Sequence, residues 1–141
     1  MSQEDVEIVR SLFEAFNRGD IGAGAKLMDE GVVFDVRGME LENEDFARVY
    51  FGPEAVGDFW REWLPAWTDM KVEIRWIRGV GERVMVWLHQ RQVGRASGLP
   101  VEFSVAWDIL FRDGKVVRMA FFRDERKALE ALGLSEQDVS A

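Results

Sequence analysis

One histidine, one tyrosine and two aspartates set in apolar strands are the side chains of this sequence best suited to chemistry. His89 is the only imidazole, so it alone titrates near neutrality without help and is the natural general base of any cavity it faces. Tyr50, the only tyrosine, begins the stretch Tyr50-Phe51-Gly52-Pro53-Glu54, where its hydroxyl could cap a cavity mouth. Asp35 stands among Val32, Val33, Phe34 and Val36, and Asp108 between Trp107 and Ile109. His89, Tyr50 and Asp35 are therefore the candidate catalytic residues. Each has a plainer alternative. His89 could be hydrogen-bonded at a sheet rim, and Tyr50 could pack with its hydroxyl at the surface. Strand alternation could turn both aspartates away from any pocket.

Other chemistries lack their residues. There is no cysteine and a single histidine, so neither a disulfide framework nor a protein-only zinc site is expected, and no metal is predicted. Gly79-Val80-Gly81 lacks the rest of a dinucleotide fingerprint, and no phosphate loop or nucleophile triad occurs, so no cofactor is predicted. A net charge of -8 repels phosphate backbones and anionic lipid, which argues against nucleic-acid and membrane partners. No signal peptide or membrane span is read in the sequence, and the cysteine-free composition fits a cytoplasmic setting.

At 141 residues the chain is read as one domain over 1–134, with a polar tail over 135–141. Its organising stretch runs from Val101 to Gly133. Phe103, Val105, Trp107, Ile109 and Phe111 alternate before an Asp113-Gly114 turn, Val117, Met119 and Phe121 alternate after it, and a helix opening at Asp124 closes at Gly133. Upstream, Val6, Val9, Leu12, Phe13 and Phe16 make an amphipathic helix, followed by a short second helix with Ile21, Leu27 and Met28 and a strand at 32–36. Residues 37–51, with Glu40, Glu42, Glu44 and Asp45, show no period and read as a solvated excursion or lid. Val56, Phe59, Trp60, Trp63, Leu64 and Trp67 mark the main packing helix, which Pro65 ends or kinks. Two further strands follow: Val72, Ile74 and Trp76 alternate in the first, and Val84–Val93 is apolar on both sides in the second.

The order is ααβαββββα, an α+β arrangement in which a cone-shaped, curved antiparallel sheet wraps around helices. That order, with Phe16-Asn17-Arg18-Gly19-Asp20, the stretch from Tyr50 to Trp63, and Phe111 to Phe122 with its trailing helix, resembles the SnoaL-like branch of the nuclear-transport-factor-2-like superfamily over nearly the whole chain. The resemblance implies a cone whose interior holds a small, largely apolar ligand. It also spans enzymes, among them ketosteroid isomerases, polyketide cyclases and epoxide hydrolases, as well as non-catalytic modules.

Resemblance to the steroid isomerases puts Leu12 at their tyrosine, Val36 at their aspartate base and Trp107 at their protonated acid, so steroid-isomerase chemistry is not expected. The ligand-lining set it implies is Leu12, Phe16, Phe34, Val36, Tyr50, Phe59, Trp63, His89, Val105, Trp107, Met119 and Phe121. The leading expectation is a binding protein for a small apolar or weakly polar molecule. The alternatives are a cavity enzyme using His89 with Tyr50, either a proton-transfer isomerase or cyclase or an epoxide-type hydrolase, and a dimerisation module whose cone is filled by its own aromatics. Strands apolar on both faces predict a homodimer through the outer sheet face.

Overall fold

Residues 2–41 and 45–138 are described by the structure, a computed structural model. Helix α1 (Ser2–Asn17) buries Val6, Val9, Phe13 and Phe16 on one stripe. The residues after it form a 3-10 helix (Ile21–Leu27) rather than the second α-helix expected, since two glycines in seven residues weaken α-helical propensity. Strand β1 (Met28–Asp35) follows, then a 3-10 turn (Arg37–Met39), the short strand β2 (Val49–Phe51), helix α2 (Pro53–Trp63) and another 3-10 turn (Leu64–Ala66) that Pro65 imposes. Four long strands complete the sheet: β3 (Trp67–Val80), β4 (Arg83–Gly94), β5 (Pro100–Arg112) and β6 (Lys115–Phe122). Helix α3 (Glu125–Leu132) is capped by the Asp124 carboxylate, which accepts from the Arg126 and Lys127 amides, and by Gly133 at φ 74°.

The lid expected over 37–51 thus holds a turn and an edge strand; Glu42 and Glu44 lie outside the described residues. The tail reading meets a short turn at Glu136–Asp138, while residues 139–141 lie outside the description.

The six strands lie in the order β2-β1-β6-β5-β4-β3. The sheet is mixed and not wholly antiparallel as expected, because β1 runs parallel to β6 while the other pairs are antiparallel. The chain from residue 36 to residue 114 separates these two neighbours, ample length for the crossover that parallel pairing needs. A bulge between Leu110 and Phe111 shifts the hairpin register, so Val116 and not Val117 joins Met119 and Phe121 in the core.

Helices α1 and α2 pack on the inner face of the sheet, where Val32, Phe34, Val84, Val86, Leu88 and Val105 are fully buried. Helix α3 covers part of the other face through Ala128 and Leu132 on Met85 and Ala106. Two devices hold the cone's ends. The Asn17 carboxamide donates to the Val72 carbonyl at 3.0 Å and accepts from the Val72 amide at 2.8 Å, filling the place of a strand partner on edge strand β3. Gly38 lets the 3-10 turn lie against β6, since a Cβ there would stand 2.0 Å from the Phe121 carbonyl oxygen.

Candidate functional site

The centre of the cone is an aromatic cluster set against an aliphatic sheet wall. Trp107 on β5 meets Phe13 of α1 edge-on at 5.2 Å and Phe121 of β6 at 4.8 Å, and lies nearly parallel to Trp60 of α2 with ring centres 6.3 Å apart. Around that centre Phe34, Phe59, Trp63 and Tyr50 pack in further tilted, edge and stacked contacts. Such geometries fix ring orientation as well as burying area.

Little space remains. One cavity of about 70 Å³ is bounded by Leu12, Phe13, Phe16, Asp20, Met28, Trp60, Trp107, Ile109, Val116 and Met119. A second of about 10 Å³ lies behind it against Phe34, Val36, Met39, Phe59, Trp63, Gln90 and Phe121. Outside, an open groove of about 590 Å³ runs between the 3-10 helix and α2, walled by Gly22, Ala25, Met28, Pro53, Val56, Gly57, Trp60 and Leu64, with Arg61 and Arg95 at its edge. Met28 and Trp60 line both groove and inner cavity, and Trp60 is half-buried, so its indole forms a partition between them. Another groove of about 500 Å³ opens beside Met39, Trp63, Trp67 and Phe103, rimmed by Glu40, Glu62 and Glu102.

One polar group of the interior stands without a partner, on Trp107. The residue is 7 % exposed, and its Nε1–H, buried from solvent, has no acceptor among the described residues. A buried donor left unmade costs roughly 1–3 kcal/mol. Trp107 stands where the resemblance puts the steroid isomerases' protonated acid, and its indole N–H is itself a donor within the cone.

The three candidate catalytic residues do not converge. His89 lies between Leu88 and Gln90, both buried inward, so alternation turns it to the outer face, where its Nε2 is 3.1 Å from Glu102 Oε1. It borders neither inner cavity, which corrects its place in the lining and catalytic sets. Asp35 is likewise turned outward from β1. Its two oxygens accept from Arg37 Nε and Nη2, each at 2.9 Å, and the Arg37 hydrogen bond holds its carboxyl below the usual range. Tyr50 is buried inward, but its hydroxyl donates to the Phe46 carbonyl at 3.3 Å. With β6 and β5 between β1 and β4, and the ladder setting Asp35 level with Met85, His89 lies three strands across from Asp35 and four residues further along.

Nine of the twelve residues of the expected lining border the inner cavities, and Tyr50, His89 and Val105 do not. Leu12, Phe16, Trp107 and Met119 bound the larger inner cavity, and Phe34, Val36, Phe59, Trp63 and Phe121 the smaller. Val105 is fully buried in the wall. Two interior polar residues escape the sequence reading. Gln90 and Gln92, each 2 % exposed, continue the inward set of Val84, Val86 and Leu88, and the Gln90 amide donates to Gln92 Oε1 at 2.8 Å. Their parity with those valines was the available signal. Among the described residues no cluster of three His, Asp or Glu could hold a metal ion, and no helix is long and apolar enough to cross a membrane.

The fold is the α+β nuclear-transport-factor-2-like fold. A family model described as SnoaL-like domain matches residues 9–119. No curated protein sequence matches the chain significantly. Among solved structures, a nuclear-transport-factor-2-like protein of unknown function from Burkholderia pseudomallei superposes with TM-score 0.73 at 20% identity, over 96% of each chain. TerC, co-crystallised with polyporic acid, gives 0.71 at 20% identity, covering 90% of this chain and 95% of its own. A protein with a ketosteroid-isomerase-like fold from Catenulispora acidiphila, in complex with trimethylamine, gives 0.67 at 14% identity, over 91% and 93%. At these identities the likeness is one of fold.

Proposed function

This chain belongs to the SnoaL-like domain family, and we propose that it binds a small, flat, largely apolar molecule with a hydrogen-bond acceptor at its inner end, with no catalysis assigned. The observation that carries this reading is the Trp107 Nε1–H, an unpaired donor held in place by Phe13, Phe121 and Trp60 within an apolar cone. A ligand oxygen there would satisfy a group that the fold leaves unmade. Small molecules bound to TerC and to the Catenulispora protein are in keeping with it. The inner cavity, at about 70 Å³, is far below the roughly 300–1,000 Å³ of ordinary ligand sites. The ligand therefore lies mainly in the outer groove, with one end pushed past Trp60 toward Trp107. A cytoplasmic protein that pairs through its outer sheet face completes the proposal.

The near-filled interior favours a second reading, a dimerisation module that holds no ligand. One titration separates the two. By calorimetry, 2-acetylnaphthalene should bind the native protein, and Trp107→Phe should weaken it about fivefold, the worth of one neutral hydrogen bond of about 1 kcal/mol. The variant should stay folded, since the unpaired donor goes with the indole. Absence of binding at millimolar concentration by both this ketone and its carboxylate analogue, or equal ketone affinity in the variant, would count against the binding reading and for the filled module.

A further inference from the structure

The outer groove carries a second chemical signal besides the Trp107 donor. Its walls are apolar or small, yet Arg61 and Arg95 both border it. On a chain of net charge -8, two arginines at one apolar groove are a local reversal of sign. Arg95 is fixed rather than loose: its Nε donates to the Pro65 carbonyl at 3.0 Å and its Nη2 to the Trp67 carbonyl at 3.2 Å. Both partners are neutral carbonyls, and among the described residues Arg95 pairs with no carboxylate, so its charge is positioned but not neutralised. Arg61 pairs with Asp58 one helical turn back on α2 and is largely exposed.

Gly57 explains how the guanidiniums come to share the groove with a ligand. A Cβ at this mid-helix position would stand 3.3 Å from Arg61 Nη1, so the missing side chain leaves room for the Arg61 head over α2. A glycine inside a helix costs about 1 kcal/mol against alanine. Here that cost keeps open the wall between Arg61 and the apolar floor.

We propose that the ligand is an amphipathic anion: a flat apolar body along the groove from Trp60, offering an acceptor to Trp107 at its inner end and carrying a carboxylate or other delocalised oxyanion held by Arg95 and Arg61. This rests on the binding reading above, of which it names the ligand class. A planar guanidinium with a free edge recognises a two-oxygen anion better than a point charge would. Charge complementarity selects this occupant over a neutral hydrocarbon or a cation.

The probes are 2-naphthoate and its neutral analogue 2-acetylnaphthalene, titrated separately into the native chain by calorimetry. The carboxylate should bind at least about tenfold more tightly than the ketone, as a charge-assisted pair with arginine requires. That preference should shrink in half-molar salt, because the groove is open to screening. Arg61→Gln, at an exposed side chain, should cut the carboxylate-to-ketone ratio severalfold, and Arg95→Gln should cut it further. Arg95→Lys keeps the charge without the fork, so part of the preference should return, which guards against a Gln variant that merely loosens the Pro65 turn. Ketone bound as well as carboxylate in the native chain would overturn the anion inference and leave the binding reading standing. Neither probe bound would overturn both.

Discussion

Burial and pairing set the two strand aspartates against each other, with opposite consequences for stability. Asp108 is 4 % exposed on the outer face of β5, with Oδ1 3.0 Å from Arg83 Nε but not aligned as a hydrogen bond. Desolvation raises its pKa above the ordinary 3.8, while Arg83 and Arg118 pull the other way. Because the folded value lies above the unfolded one, the native state takes up the proton first. Stability therefore falls as pH rises from about 3.8 through the raised value and stays lower beyond it. Asp108→Asn removes that penalty. Its urea midpoint should exceed the native chain's at neutral pH, and the difference should close as the buffer approaches 3.8. A variant less stable at neutral pH would mean that the Arg83 pair outweighs desolvation. Asp35 has the reverse sign: Arg37 depresses its pKa, so its contribution is present above 3.8 and is lost as pH falls through the lower, folded value.

At the scale of elements, two glycines offer a paired test of what the cone tolerates. Gly38→Ala sets a Cβ 2.0 Å from the Phe121 carbonyl oxygen, and backbone cannot yield as a side-chain tip can. The 3-10 turn must lift from β6, and urea unfolding should show a loss of about 1–3 kcal/mol, the usual cost of overpacking. Gly57→Ala meets only the mobile Arg61 head at 3.3 Å. It should gain up to about 1 kcal/mol from helix propensity while narrowing the groove, so its Tm should rise as 2-naphthoate affinity falls. Equal losses in both variants would show that the two contacts are alike after all. The same scale shows what could be read beforehand. Alternation through Trp107, Ile109 and Phe111 marked one apolar face of β5, that through Val84, Val86 and Leu88 marked one of two apolar faces of β4, and Asp124 and Gly133 bounded α3. A three-residue strand has too short a period to register, so β2 was hidden in 37–51. The bulge that exchanges Val117 for Val116 leaves no mark on composition, and the face His89 occupies depended on where Gln90 and Gln92 point. The unpaired state of the Trp107 donor is a fact of three-dimensional packing, beyond any spacing rule.

For the molecule as a whole, the prediction at stake is a homodimer paired through the outer sheet face. Helix α3 buries Met85 and Ala106, which meets part of the demand that apolar residues on both faces create. Trp76, Trp87 and Phe122 around that patch remain only half-buried, and Trp76 spends its N–H on Glu125 at 2.8 Å. Phe51 at the sheet's β2 edge is 70 % exposed. A second copy laid on this face would cover indole surface that α3 does not reach, with Glu73, Arg75, His89 and Glu102 supplying a mixed-charge rim. Light scattering at tens of micromolar should then give a mass near twice the 16.2 kDa of one chain. Trp87→Glu places a charge in the middle of the proposed contact without touching either inner cavity or the outer groove, so it should yield folded monomers that still bind 2-naphthoate. A native mass of one chain with no concentration dependence would remove the dimer, and a Trp87→Glu variant that stays paired would move its interface away from this face.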